Sequence, residues 1–247
     1  MTPSRMAQAA HNNAIWCDTV CRTHGTPGEF SDTLWLNRHP VPRFYSNAVT
    51  LSDQQAAAAQ LAHLRALVAS GPPGRWSVKD SFCALDLTTL GFQLLFEATW
   101  LWRAPSPIAP QSANTRTRWT WVDSAAELAH WEAAWSRDPA NTSPTPQPRL
   151  FLPALLADRD IAFLAAYQDD AIVAGAIANR TDEVVGLSNV FVLLAERAGF
   201  WAGCIAAIQE RFPGMPIVGY QRGLDLAVAQ AVGFEKMQDL RVWIRQG

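Results

Sequence analysis

Lysine is scarce in this chain. Of its 20 lysines and arginines, only Lys79 and Lys236 are lysines, and the arginines are scattered rather than clustered. With no basic stripe and a net charge of −2, nothing draws the protein toward nucleic acid or an anionic membrane. Long apolar runs are also missing: the longest uncharged stretches, such as Ala198–Ile208, are far too short to span a bilayer. Residues 1–13 carry His, Asn and Gln where the apolar centre of a secretory signal would lie, so no signal peptide is expected. Four cysteines without a framework spacing predict free thiols in a reducing compartment, and hence a soluble cytoplasmic protein. Charge is sparse at 17%, but apolar residues make up 49%, which excludes a disordered chain. What the chain does have is tryptophan, eleven of them, each with a large apolar surface and an indole N–H that needs a partner when buried. At 247 residues it can form one large domain or two small ones.

Residues 6–23 have the composition of a helix that stops at Gly25 before Pro27-Gly28. Short β-like runs follow at 33–37 and 47–51. Ser52 or Asp53 then caps an alanine-rich helix that ends at 70–74. Residues 75–79 and the aromatic run 92–103 read as strands. Three prolines and many Ser, Thr and Asn make 104–118 a linker, which divides the chain into 1–103 and 119–247. Beyond it the reading is a strand at 119–122, a helix from Ser124 through Trp135, and three strands at 161–167, 171–180 and 184–192. Their short turns predict an antiparallel meander. A helix over 197–211, a buried strand over 216–220, a helix over 223–232 and a closing strand complete the order β-α-β-β-β-α-β-α-β. That order predicts a mixed α/β (α+β), mainly antiparallel sheet flanked by helices.

That order, together with the ending Val232-Gly233-Phe234 before the last strand, resembles the GNAT acyltransferase superfamily over about residues 119–245. An internal echo accompanies it. Leu90-Gly91-Phe92 opens a run ending at Arg103, and Val232-Gly233-Phe234 opens one ending at Arg245; both arginines sit twelve residues after their glycine. Either the first half is a reduced copy lacking an obvious three-strand meander, or two aromatic strands merely look alike. The strand at 92–103 is also a candidate to complete the second half's sheet, which has only one strand after its last helix.

The resemblance implies that acyl-CoA binds between two splayed parallel strands, with backbone groups of Val190, Phe191 and Val192 pairing with its pantetheine arm. It further implies a phosphate loop of pattern Gln or Arg, two residues, Gly, one residue, then Gly or Ala, whose N–H groups hold the CoA pyrophosphate. The matching stretch, Glu196-Arg197-Ala198-Gly199-Phe200-Trp201, departs from the pattern. Aligned on Gly199, Glu196 falls at the basic position and Trp201 at the small one. Aligned on Arg197, Ala202 is restored and Phe200 stands where Gly belongs. Phe200 and Trp201 are expected to crowd the approach. The family's frequent general acid, a Tyr four residues before the Gly-Phe glycine, is Ala229 here, and Tyr220 is the nearest substitute. Ser188 and Asn189 are the only polar side chains on the central strand, and alternation predicts that one of them faces the cleft.

Other candidates have plainer explanations beside them. Asp80 and Asp86 lie near apolar residues that would raise a carboxyl pKa, or each caps a helix start. Asp182 and Glu183 are expected to be solvated in a turn. Cys17, Cys21 and His24 share a helix face, but His11, the nearest fourth ligand, points elsewhere, so no metal is expected. Three functions remain open. The first is an N-acyltransferase moving an acetyl or other acyl group from acyl-CoA to an amine of a small molecule or protein, as monomer or homodimer. The second is a catalytically silent ligand- or protein-binding module. The third is an enzyme that reuses the cleft for chemistry without CoA.

Overall fold

A computed structural model describes residues 3–70, 74–105, 117–143, 145, 147–195 and 197–246. In chain order the elements are α1 (Arg5–Thr23), β1 (Glu29–Phe30), β2 (Leu34–Leu36), β3 (Ala48–Thr50), α2 (Ala57–Ala69), β4 (Trp76–Asp80), β5 (Gln93–Arg103) and β6 (Thr117–Trp121). There follow α3 (Ala125–Trp135), β7 (Ile161–Gln168), β8 (Ala171–Arg180), β9 (Val185–Val192), α4 (Arg197–Arg211), β10 (Ile217–Gln221), α5 (Gly223–Ala231) and β11 (Glu235–Arg245). The chain forms two compact units. One is Met1–Trp100 with Lys236–Gly247, the other Leu101–Glu235. The expected halves therefore differ from the observed units at the ends of both long strands: residues 101–103 of β5 go to the second unit, and nearly all of β11 to the first. Of the expected linker 104–118, residues 106–116 lie outside the described residues.

In the first unit the strands run in the order β1-β2-β3-β4-β11-β5. β1, β2 and β3 are antiparallel neighbours, so a three-strand meander is present where none was expected. β2 and β3 lie within the runs expected at 33–37 and 47–51, whereas β1, of two residues, is too short to show a period of two in the sequence. β3 and β4 pair in parallel at Ala48–Val78 and Val49–Lys79. A core of Leu34, Leu64, Leu67, Trp76, Val78 and Trp243 fills the space beneath α2. The Ser4 side chain caps α1 by accepting from the Ala7 N–H at 3.2 Å.

The second unit has strand order β10-β9-β8-β7-β6, with the end of β5 beside β10. Leu101, in that end, belongs to this unit's core. β6, β7, β8 and β9 are antiparallel in succession, and β9 pairs with β10 in parallel. The class matches the expected mixed, mainly antiparallel sheet with helices. Ser124 caps α3 by accepting from the Glu127 N–H, and the Glu127 carboxylate accepts from the Asp123 N–H. Leu128, Trp131 and Trp135 on one face of α3 are all buried. Trp131 stands edge-on to Phe151, Phe163 and Phe191 at 5.2–5.5 Å and donates its indole N–H to the Leu164 carbonyl at 2.8 Å. Each ring pair contributes about 0.5–1.5 kcal/mol beyond its buried area, so this cluster fixes the floor under β7, β8 and β9. On the opposite face Phe200, Trp201, Cys204, Ile205 and Ile208 seat α4. No helix among the described residues is long and apolar enough to cross a membrane.

Candidate active site

β9 and β10 touch only briefly. Val185 pairs with Ile217 and Gly186 with Val218. At the next step a Cβ on Gly219 would come within 2.7 Å of the Leu187 carbonyl oxygen, so only glycine permits the close approach there. Beyond it β9 runs on to Val192 with no further β10 pairing. Two parallel strands that start together and then stop pairing leave backbone N–H and C=O groups of β9 with no strand to satisfy them.

On the other side of β9, the register with β8 shifts between Ile177–Ser188 and Gly175–Phe191. Asn189 and Val190 together oppose the single Ala176, which is a β-bulge. Asn189 adopts φ +51, a left-handed conformation that Asn accepts better than most side chains. The bulge corrects the simple alternation expected of this strand. Ser188, Asn189 and Val190 are all half-buried, and the Asn189 amide donates to the Ser188 hydroxyl at 3.2 Å. Phe191 and Val192 are buried. Tyr220 is half-buried on β10, two residues past the last pairing and so level with Ser188 on the neighbouring strand.

α4 begins at Arg197, so the N–H groups of its first turn have no intrahelical acceptors, and that of Arg197 donates to the Ala195 carbonyl at 3.1 Å. Ala198 and Gly199 there are exposed. Phe200 and Trp201 face the core, at 6% and 2% exposure, and do not crowd this turn as expected; they belong to the apolar stripe of α4 with Cys204, Ile205 and Ile208. Trp201 stands perpendicular to Phe234 at 6.1 Å, and its indole N–H has no hydrogen-bond partner among the described residues. Glu196 lies outside the described residues. The Arg197 guanidinium is engaged on two sides. It meets the Asp225 carboxylate in the first turn of α5 at 2.7 and 2.9 Å, and donates to the Val192 carbonyl at 3.2 Å. Asp225 is absent from the expected site residues, because nothing in the sequence pattern pairs it with Arg197.

Ala229 is fully buried in the core, so the family's tyrosine position faces packing here. Gly233 has φ +93, and Arg103 lies along it: a Cβ there would sit 3.5 Å from the Arg103 Nε, which donates to the Val232 carbonyl at 3.1 Å. The first unit repeats this arrangement. Gly91 has φ +77, and Arg245 lies over it at 3.4 Å from the same virtual Cβ. Within the first unit the Glu97–Arg241 ion pair and the Thr99–Asp239 hydrogen bond join β5 and β11.

The first unit's parallel pair is closed where the second unit's is open. Just past the Val49–Lys79 pairing, the Ser81 N–H donates to the Thr50 hydroxyl at 2.7 Å. The turn opening α2 holds the Asp53 carboxylate, which accepts from the Gln55 N–H and opposes any second anion. Asp80 is buried and accepts the N–H groups of Ala84 and Leu85; burial pushes its carboxyl up and those bonds pull it back. Asp86 caps its own turn, and the Thr88 hydroxyl and N–H hold its carboxyl below the usual range. Both are therefore turn caps. Asp182 and Glu183 are exposed. Cys17 and Cys21 are buried, and burial pushes both thiols up, Cys21 to about 12. Among the described residues no three His, Cys, Asp or Glu side chains converge as metal ligands.

No family model and no curated protein sequence matches the chain. Solved structures do. A GCN5-related N-acetyltransferase from Kribbella flavida superposes with TM-score 0.65 at 16% identity, over 100% of this chain and 97% of that one. A GNAT-family protein from Novosphingobium aromaticivorans gives TM-score 0.57 at 13% identity, over 96% and 99%. A tandem GNAT protein of the clavulanic acid biosynthesis pathway gives TM-score 0.54 at 15% identity, over 76% and 69%. The fold is that of the GNAT acetyltransferases.

Proposed function

We propose that the chain is an acyl-CoA-dependent N-acyltransferase that moves an acetyl or related acyl group to an amine of a small molecule or protein. The observation that carries this is the open β9–β10 pair, with a bulge at Asn189–Val190 and the first turn of α4 at its end. In this reading the pantetheine arm lies along Val190, Phe191 and Val192 and pairs with backbone groups on the side of β9 that β10 leaves open, the Val192 carbonyl being held by Arg197 in the free protein. The pyrophosphate sits at the α4 start, where the N–H groups of Ala198 and Gly199, the helix dipole and Arg197 favour an anion. A neutral amine attacks the thioester carbonyl directly; its proton leaves through water, and backbone N–H groups at the bulge stabilise the oxyanion. In the same reading Ser188 and Asn189 orient the acceptor or that water, and Tyr220 protonates the departing thiolate.

We further infer that the two units derive from a duplication, with the first now a closed copy. The Thr50–Ser81 bond and the Asp53 carboxylate both argue against a second CoA there. One acyl-CoA per chain follows.

A second reading, a silent binding module, draws on the burial of Ala229 and the engagement of Arg197 by Asp225. Titration with acetyl-CoA, followed by thermal shift and tryptophan fluorescence, separates the two from a fold that has lost the cofactor. A ligand at 100 times its Kd stabilises the folded state by about 2.7 kcal/mol. No response at millimolar acetyl-CoA refutes the acyltransferase. Binding without turnover across a panel of amines selects the silent module.

A further inference from the structure

The Arg197–Asp225 contact joins the first turns of two helices, α4 and α5, that follow the two strands of the open pair. A cation at the start of a helix opposes that helix's dipole, so Arg197 has no local reason to be there. Asp225 supplies one. Its carboxylate sits in the α5 first turn, where one oxygen, Oδ1, meets both Nε and a terminal nitrogen of the guanidinium, charge-assisted contacts that a phosphate oxygen can replace. The third side of the guanidinium holds the Val192 carbonyl, which lies on the path assigned to the pantetheine arm. Both side chains remain about one-third exposed, and the flanking Leu194 and Leu224 are exposed apolar residues, Leu224 at 82%. The pair is therefore reachable from solvent and weak enough to exchange.

We propose that Asp225 is an internal counter-anion: in the free protein it occupies Arg197 in place of the acyl-CoA pyrophosphate, and binding transfers the guanidinium from carboxylate to phosphate. This rests on the acyltransferase reading and adds a regulatory cost to the same site. Asp225 touches no reacting atom; it sets how available Arg197 is. Cofactor affinity is held down by the strength of one ion pair, and any change that neutralises Asp225 tightens the site.

The test is calorimetric titration of acetyl-CoA, and separately of pantetheine, into the full chain and three variants. Asp225→Asn keeps the size and one side-chain oxygen but removes the charge, so the expected result is acetyl-CoA binding about 1.4- to fivefold tighter, the range of one exposed ion pair. Pantetheine, which has no phosphate, is expected to bind equally to both. Asp225→Ser guards against a local effect of the amide and is expected to tighten binding in the same direction. Asp182→Asn removes the same charge from the exposed turn at the far end of β9 and is expected to leave the Kd unchanged. Wild-type binding with Asp225→Asn equal or weaker overturns this proposal and leaves the acyltransferase reading standing. An equal gain from Asp182→Asn also overturns it, by assigning the effect to net charge. Failure of every protein to bind acetyl-CoA removes both.

Discussion

The bulge at Asn189 is the most exposed point of this account to experiment. An L-residue with a Cβ held near φ +51 costs about 1–2 kcal/mol relative to the right-handed region, and glycine avoids that cost. The Asn189 amide recovers some of it through its half-buried bond to Ser188, which contributes about 0.5–1 kcal/mol. Asn189→Gly exchanges that bond for relief of strain and is expected to be near neutral. Asn189→Ala loses the bond and keeps the strain, so it should be about 1–2 kcal/mol less stable than the glycine variant. A chain of this size shifts by about 2–4 °C per kcal/mol, so alanine should melt about 2–8 °C below glycine, followed by the intrinsic tryptophan signal. Deleting Asn189 outright restores one-to-one pairing of β8 and β9 and should leave a folded protein that no longer responds to acetyl-CoA. An alanine variant as stable as the glycine one removes the strain argument. A deletion that still binds removes the bulge from the site.

Other outcomes follow from the same geometry. Arg197→Ala should weaken CoA more than pantetheine; equal weakening in calorimetry would place Arg197 away from the phosphates. A Cβ at Gly175 would lie 2.6 Å from Phe191 and Trp131 and 2.8 Å from the Leu164 carbonyl. Gly175→Ala should therefore cost about 1–3 kcal/mol of stability in chemical denaturation. Burial pushes the Cys204 thiol from its ordinary 9.0 to about 12. Between those values the unfolded chain loses a proton that the folded chain keeps. Stability then falls as pH rises, by about 1.4 kcal/mol per unit for this group, and is unaffected below pH 9. Cys204→Ala should flatten the alkaline decline in melting temperature, and an unchanged slope would contradict the assignment.

Much of the second unit was legible because its elements are long enough to show their period. The α4 face Trp201, Cys204, Ile205, Ile208 and Phe212 is buried as its helical spacing predicts, and α3 starts at the Ser124 cap with Leu128, Trp131 and Trp135 inward. The echoed Gly-Phe pairs correspond to two left-handed glycines, each with an arginine lying along it. In the first unit, β2 and β3 fall within the β-like runs at 33–37 and 47–51, and what the sequence does not show is β1, whose two residues carry no periodicity and complete the meander. The bulge was hidden because an inserted residue changes register without changing composition. Asp225 was hidden for a different reason: its partner is 28 positions away and on another helix, a relation that exists only after folding. Phe200 and Trp201 align with the phosphate-loop pattern, yet the helical spacing that puts Trp201 on the buried face prevails, because α4 has already begun at Arg197.

The central claim is that acyl-CoA binds in the open parallel pair of the second unit. Hydrogen–deuterium exchange with and without acetyl-CoA tests that most directly. Protection is expected at residues 189–193, 197–200 and 220–225, with none at 48–57 in the first unit. Protection centred on 48–57, or no change anywhere at saturating acetyl-CoA, would contradict it.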